Sequence, residues 1–324
     1  MKLDFDPREN MSAFAYYYSQ TKINKINDFL QKRRIIKNWY IVSLFRAGLK
    51  KTVRIKFRDG KQVYIKSEKE YHDFWNSELG QNEILKMAKD NIAKIRNNRI
   101  ELDYKNKKVY FLSDENKKLI SNANAIKENF INEQYKWLDV KGKDAVDIGA
   151  NVGDTAIYFA LKGAKHVYTF EPYPYSYNIA MKNIKLNHLE DKITMLNEGC
   201  GKSGFVTIKE EYKNTGSTDL KKFKEGKKIR VENLDEIVKR FNLKHAALKV
   251  DCEGCEYDLI LNASDEALKA FDQIIMEYHY GYRNLVKRLE QAEFKVKYSL
   301  PKRFHDVEAD NSNMYLGLIF AMRI

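Results

Sequence analysis

The stretch "AVDIGANVGDTA", Ala145 to Ala156, reads as an apolar strand, a glycine-rich turn and the opening of a helix. A turn of this kind brings the backbone close to a ligand, and its residues limit what that ligand can be. A dinucleotide fingerprint needs glycines spaced G-x-G-x-x-G so that the chain can approach a pyrophosphate. Counting from Gly149, the second and third positions are Asn151 and Asp154, so the fingerprint fails twice. A phosphate loop fails as well, because no Gly-Lys-Ser/Thr follows. Asp147 and Asp154 flank the turn with negative charge, which suits a cationic ligand better than a phosphate.

On both sides of this turn, short apolar strands alternate with helical segments. The strands are "DAVDIG", "KHVYTFEP", "KITMLN", "AALKVD" and "QIIMEYH", and the chain closes with "FKVKYSL" and "YLGLIFAMRI". Alternation of this kind predicts an α/β fold, a doubly wound, mostly parallel sheet covered by helices on both faces. Ligands of such sheets bind beyond the carboxyl ends of the strands, where the strand order reverses. The second strand ends in Phe170-Glu171-Pro172, and Glu171 stands where an acidic residue can accept from both hydroxyls of a ribose. A ribose and a positively charged, phosphate-free tail together describe S-adenosylmethionine.

The motifs "DIGANVG", "FEP", "LKVDCEGCE" and "MEYH" follow one another in that order. In this the chain resembles the FkbM family of class I S-adenosylmethionine-dependent methyltransferases. Its members mostly methylate hydroxyl oxygens of sugars and other natural products. The resemblance implies a Rossmann-like, seven-stranded methyltransferase sheet over residues 126–324. It implies that Asp147, Gly149, Ala150, Asn151 and Gly153 surround the methionine part of the cofactor, with Glu171 and Pro172 at the ribose. Glu198, in "LNEGCG", is expected near the adenine, and Asp251 beside the cofactor. The Asn/Asp-Pro-Pro-Tyr/Phe motif of amino-group methyltransferases is absent after the fourth strand, which favours oxygen as the acceptor atom.

Asp251, Glu253 and Glu256 crowd three carboxylates into six residues. Glu256 suits the first turn of a helix, where its charge favours the dipole. Asp251 and Glu253 fit a general base, the ligand set of a divalent cation, or a clamp on sugar hydroxyls. The fifth strand ends in Glu277-Tyr278-His279, and strand alternation puts Glu277 and His279 on one face. His279, neutral near pH 7, is the first expectation for a general base, with a carboxylate to orient it and Asp251 next in order. Cys252 and Cys255 read as small buried residues rather than a redox pair or half a zinc site, because no second pair exists.

The three cysteines and the absence of an apolar leader or an 18-residue apolar run lead us to expect a cytoplasmic protein. The net charge of +13 is uneven: residues 1–130 carry 28 Lys and Arg against 16 Asp and Glu, residues 131–324 carry 30 against 29. The basic part reads as an α+β extension over residues 1–125. Helical periodicity runs from Ser12 to about Lys51, followed by a hairpin turning at Asp59-Gly60 and a second turning at Lys105–Lys107. This extension is expected to recognise the acceptor, a small molecule or glycan with a free hydroxyl. Residues 12–51 also fit a helix lying peripherally on an anionic membrane surface. A nucleic-acid acceptor is disfavoured because no RNA-binding module is recognisable there. The alternative from another class is a non-catalytic scaffold that binds nucleic acid or membrane through its basic part.

Overall fold

The computed structural model describes residues 33–75, 93–96, 99–112, 126–209, 224–303 and 315–324. They fall into two compact units, 33–132 and 133–324.

In the first unit, helix α1 (Trp39–Arg46) buries Val42 and Phe45. The helical pattern expected from Ser12 to Lys51 is interrupted here, and its part before Arg33 lies outside the described residues. Ile36 forms a β-bridge with Phe57. Asn38 then ties the chain to the hairpin: its Nδ2 donates to the Arg54 carbonyl at 2.6 Å, and its Oδ1 accepts from the Lys56 amide at 2.8 Å. These bonds satisfy strand-edge groups that a continuing helix would leave open. Strands β1 (Val53–Lys56) and β2 (Gln62–Ile65) pair antiparallel. Helix α2 (Glu68–Trp75) adds Tyr71, Phe74 and Trp75 to an aromatic core with Phe45 and Phe57.

Three further strands, β3 (Ala93–Arg96), β4 (Arg99–Tyr104) and β5 (Lys107–Leu112), form an antiparallel meander. Lys105 and Asn106 connect β4 to β5 with φ of 48° and 66°, the two positive values a two-residue hairpin turn needs. Strand β3 was not expected from the sequence. Phe130, in the π-helical turn Lys127–Ile131, packs edge-on against Tyr104 and Phe111. No helix among the described residues is long and apolar enough to cross a membrane.

The second unit is built on β6 (Asp144–Ile148), β7 (His166–Phe170), β8 (Ile193–Leu196), β12 (Ala246–Val250), β13 (Phe271–Tyr278), β14 (Phe294–Tyr298) and β16 (Tyr315–Arg323), in the order β14-β16-β13-β12-β6-β7-β8. These are the seven strands expected. The four pairings from β13 through β8 are parallel, and β16 runs antiparallel between β13 and β14. Helices α3 (Asp154–Leu161), α4 (Pro174–Leu186), α5 (Leu234–Phe241), α6 (Cys255–Leu261), α7 (Asp265–Lys269) and α8 (Arg283–Gln291) lie between them in sequence. Strand β12 is buried at every position, as a central parallel strand covered on both faces must be. A small second sheet, β9 (Gly199–Cys200), β10 (Gly204–Ile208) and β11 (Lys227–Glu232), follows β8. It was not expected, and β15 (Lys302–Arg303) pairs with β16.

From β6 the chain moves outward to β7 and β8, then returns to the other side of β6 as β12 and continues to β13. The order therefore reverses between β6 and β12, and a crevice opens at their carboxyl ends. The two strands approach each other closely there. The Asp251 amide donates to the Ile148 carbonyl at 2.9 Å. A Cβ on Gly149 would sit 1.7 Å from the Asp251 carbonyl oxygen, and Gly149 has φ of +84°. Glycine is required on both counts.

Gly149→Ala is expected to lower unfolding stability by roughly 2–4 kcal/mol, the sum of left-handed strain and overpacking. Gly142→Ala, with φ of +71° and nothing within 4 Å, carries the strain alone and serves as the control. Urea unfolding of both variants measures the difference.

Candidate active site at the strand-order reversal

Four segments converge at this crevice: the turn after β6, the end of β7, the loop after β12 and the end of β13. Gly149, Ala150, Asn151 and Gly153 form the first turn. The amides of Gly149 and Ala150 donate to the Phe170 carbonyl, and Gly153 leads into α3. Asn151 adopts φ of 46°, and its amide donates to Glu171 Oε2 at 2.9 Å. The other carboxylate oxygen of Glu171 accepts from the Tyr173 amide at 3.0 Å. Burial raises the Glu171 carboxyl to about 7, against the pull of these two amides. Each of its oxygens keeps a second lone pair for a ligand hydroxyl. Pro172 follows directly, and its carbonyl accepts from Asn197 Nδ2 at 3.1 Å.

Asp147 has a different neighbour from the one expected. It is fully buried, with Oδ1 3.0 Å from Lys249 Nζ and Oδ2 accepting from Thr169 Oγ1 at 2.9 Å. Lys249 also donates to the carbonyls of Gly149 (2.9 Å) and Ile148 (3.3 Å). Burial pulls the Lys249 pKa down, but Asp147 and Asp251 outweigh it and hold the ammonium above its ordinary range. Both oxygens of Asp147 thus face groups of the protein, Lys249 and Thr169. Lys249 was not singled out from the sequence, yet a lysine inside the apolar strand "AALKVD" required a buried anionic partner.

The loop after β12 carries the acidic cluster. Asp251 Oδ2 accepts from Tyr135 Oη at 2.9 Å, while Oδ1 lies 3.8 Å from His279 Nε2. Glu253 takes φ of 57° and places Oε2 3.2 Å from the same nitrogen. Burial lifts the Glu253 carboxyl to about 8, with Asp251 and Glu277 adding to the rise and His279 opposing it. Glu256 stands in the first turn of α6, as expected, but its main contact is His279: Oε1 is 2.9 Å from Nδ1 and accepts the His279 amide at 3.1 Å. Its Oε2 accepts the Gly254 amide at 2.8 Å.

His279 is buried among these groups. Burial favours its neutral form, but Glu253, Glu256 and Glu277 overcome that and hold its pKa well above the ordinary histidine range. This differs from the neutral imidazole expected from the sequence, because carboxylates face both ring nitrogens. Glu277 accepts from Gln134 Nε2 at 3.2 Å. Gln134 and Tyr135 enter the site from the segment before β6, which carries no motif to reveal them.

Two further parts of the sequence reading have their own partners in the structure. Glu198 pairs with Arg240 Nη1 at 2.7 Å, and Arg240 also reaches Glu232 at 3.1 Å. No contact joins Glu198 to the Asp147–Glu171 turn among the described residues. Cys252 and Cys255, read as small buried thiols, are partly exposed and joined by a disulfide that encloses Glu253 and Gly254. Two residues between cysteines at a helix start bring the sulfurs within bonding reach, which the reading of buried thiols overlooked. Cys200 is the free, buried cysteine.

A family model, the methyltransferase FkbM domain, matches residues 147–299. A ribosomal protein L11 methyltransferase of Carboxydothermus hydrogenoformans is 44% identical over 55 residues, 17% of this chain and 18% of that protein. The chain thus spans under a fifth of that relative's length. An uncharacterized protein 65 of a Sulfolobus islandicus filamentous virus is 27% identical over 159 residues, 49% of this chain and 73% of that protein. Among solved structures, M. capricolum TrmK in complex with S-adenosyl-homocysteine aligns over 59% of this chain and 66% of its own, with 15% identity and a TM-score of 0.38.

Lys249→Met leaves Asp147 buried without its cation and is expected to cost roughly 3–5 kcal/mol in urea unfolding. The double variant Asp147→Asn/Lys249→Met should recover much of that loss, and a double-mutant cycle quantifies the coupling. Thiol titration of the unfolded, unreduced protein should count one cysteine per chain, and three after reduction.

Proposed function

Residues 147–299 constitute a methyltransferase FkbM domain, and on that premise we propose that the protein moves a methyl group from S-adenosylmethionine to a hydroxyl oxygen of a sugar, glycan or related natural product. The observation that carries this reading is the junction of two buried devices at one crevice. Glu171, braced by the Asn151 and Tyr173 amides, is a carboxylate suited to a ribose. The cluster of Asp251, Glu253 and His279 stands across the same strand-order reversal.

The residues present fit a nucleoside with a cationic tail. Glu171 retains acceptor capacity for two hydroxyls, and the Gly149–Gly153 turn offers no lysine or arginine to a phosphate. When bound, S-adenosylmethionine supplies a methyl carbon on a positively charged sulfur, whose carbon–sulfur bond breaks as a carbon–oxygen bond forms to the acceptor. Gly149, Ala150, Asn151, Gly153 and Pro172 shape the walls against which the cofactor rests, and Asp147 keeps that turn in place through Lys249. Asp251 serves both sides, next to the turn through its backbone and next to His279 through Oδ1.

An alcohol proton has a pKa of roughly 15, like that of bulk water, so the attacking oxygen benefits from a nearby base. In the cluster of Asp251, Glu253, Glu277 and His279 the surroundings already hold His279 and Glu253 protonated near pH 7, so a remaining carboxylate, Asp251 first, receives that proton, and Glu256 holds the His279 ring in position. Much of the acceleration then comes from orienting acceptor and methyl in line and excluding water. The support for oxygen over nitrogen is the resemblance to a largely O-methylating family and the acidic loop in place of an Asn/Asp-Pro-Pro-Tyr/Phe motif. The basic residues 1–125 are assigned acceptor recognition on charge.

Glu171 gives a pH test. Its raised pKa means that the folded protein protonates it below about 7, whereas ribose hydroxyls donate to the carboxylate form. S-adenosyl-homocysteine affinity should therefore rise with pH up to about 7 and level off above. From pH 8 down to pH 6 calorimetry should record a loss of about tenfold. Glu171→Gln should bind weakly and without this pH dependence. If wild-type protein does not bind S-adenosyl-homocysteine at millimolar concentration, the enzyme reading fails. Methylation of sugars compared with RNA, using labelled methyl donor, then decides the acceptor class.

A further inference from the structure

We propose that Asp251, Glu253 and His279 bind a divalent cation that takes nitrogen and oxygen ligands together, and that this ion receives the hydroxyls of the acceptor. The assignment to an acceptor rests on the methyltransferase reading; the ion site itself rests on geometry. Asp251 and Glu253 are carboxylate donors and His279 is an imidazole donor, and one ligand atom from each lies within 4.8 Å of the other two. His279 Nε2 is 3.2 Å from Glu253 Oε2 and 3.8 Å from Asp251 Oδ1. Neighbouring ligands of an ion with bonds of about 2.1 Å lie about 3.0–3.4 Å apart in octahedral or tetrahedral arrangement, so small movements suffice.

The surroundings leave the right atoms open. Glu256, buried in α6, faces Nδ1 at 2.9 Å and so fixes that nitrogen as a donor; the ion takes the place of the proton on Nε2, which is released to solvent, and the Nε2 lone pair then points between the two carboxylates. A carboxylate on the far nitrogen of a histidine is how metal-bound imidazoles are commonly oriented. Tyr135 donates to Asp251 Oδ2 and leaves Oδ1 toward the cluster. Glu253 Oε2 is buried with no hydrogen-bond partner. Lys249, the nearest buried cation, is committed to Asp147 and to two backbone carbonyls. A divalent ion in place of that single proton faces all three ligand atoms at once.

One imidazole with two carboxylates suits Mn²⁺ or a similar ion better than Ca²⁺, which prefers oxygen alone. Three protein ligands leave about three positions of an octahedral ion, room for two neighbouring hydroxyls of a sugar and a water. The substrate class is thereby narrowed to acceptors with a vicinal diol. An oxygen on such an ion loses its proton more readily, as metal-bound water does.

The test uses the full chain, freed of metal with a chelator and titrated with Mn²⁺ while electron paramagnetic resonance follows the free ion. One Mn²⁺ per chain is expected. Glu253→Gln and His279→Ala should each weaken binding at least tenfold, and Glu256→Gln by about 10–100-fold through its hold on the ring. All three should still bind S-adenosyl-homocysteine. Circular dichroism checks that each variant folds, and Glu253→Gln, at the partly exposed position, decides the matter if His279→Ala does not. Absence of Mn²⁺ binding, or equal binding by wild type and folded Glu253→Gln, overturns the site and leaves His279 as a charge-paired imidazolium. Mn²⁺ binding without S-adenosyl-homocysteine binding would keep the ion site and remove the methyltransferase reading.

Discussion

The ion pair between Lys249 and Asp147 is the constraint on which the crevice depends. It joins the two central strands, β12 and β6, at the place where the strand order reverses. A charged pair so deeply buried is costly to desolvate and adds little net stability by itself. Its contribution is positional. Lys249 also reaches the carbonyls of Ile148 and Gly149, so one ammonium fixes the exit of β6 relative to β12. The turn that follows can then present the Asn151 amide to Glu171, and Asp251 can emerge at a defined distance from Gly149.

From that fixed junction two halves diverge. Toward β7, the chemistry is that of a buried carboxylate held by amides and suited to hydroxyl donors. Toward β13, it is a set of carboxylates around one histidine, with Glu256 governing the ring. The halves share Asp251, whose backbone touches the first and whose side chain belongs to the second. Whatever displaces Asp251 is felt on both sides at once.

Much of this was legible in the sequence. The seven strands of the large sheet stood out because each is a short apolar run between helical patterns, and β16 closed the set as the long run "YLGLIFAMRI". The hairpin turns at Asp59-Gly60 and Lys105–Lys107 were legible from turn chemistry and alternation. The β9–β10–β11 sheet was not, because a two-residue strand carries no period. The break at Ile36 was hidden because its cause, Asn38 bonding the hairpin edge, is a long-range contact overriding local helical propensity. In the site, Asp251, Glu253 and His279 were legible as ionisable residues at strand ends. The partners that set their states were less so: Tyr135 and Gln134 come from a segment without a motif, and Glu256 looked like a helix-dipole residue. Lys249 was in plain view as a charge inside a buried strand.

Strand β16 has a bearing on how the second unit can be divided. It is the last strand in sequence but lies inside the sheet, bonded to β13 on one side and β14 on the other. The family match ends at residue 299, before β16 begins, and starts at residue 147, after Gln134 and Tyr135. A chain trimmed to that span would lose an interior strand, leave β13 with an open edge prone to pairing with other chains, and strand β14 without a neighbour. It would also lose both residues that reach Asp251 and Glu277 from upstream. The smallest piece able to fold and hold the site therefore runs well past the recognisable motifs at both ends, with the final residues of the chain acting as a keystone rather than a tail.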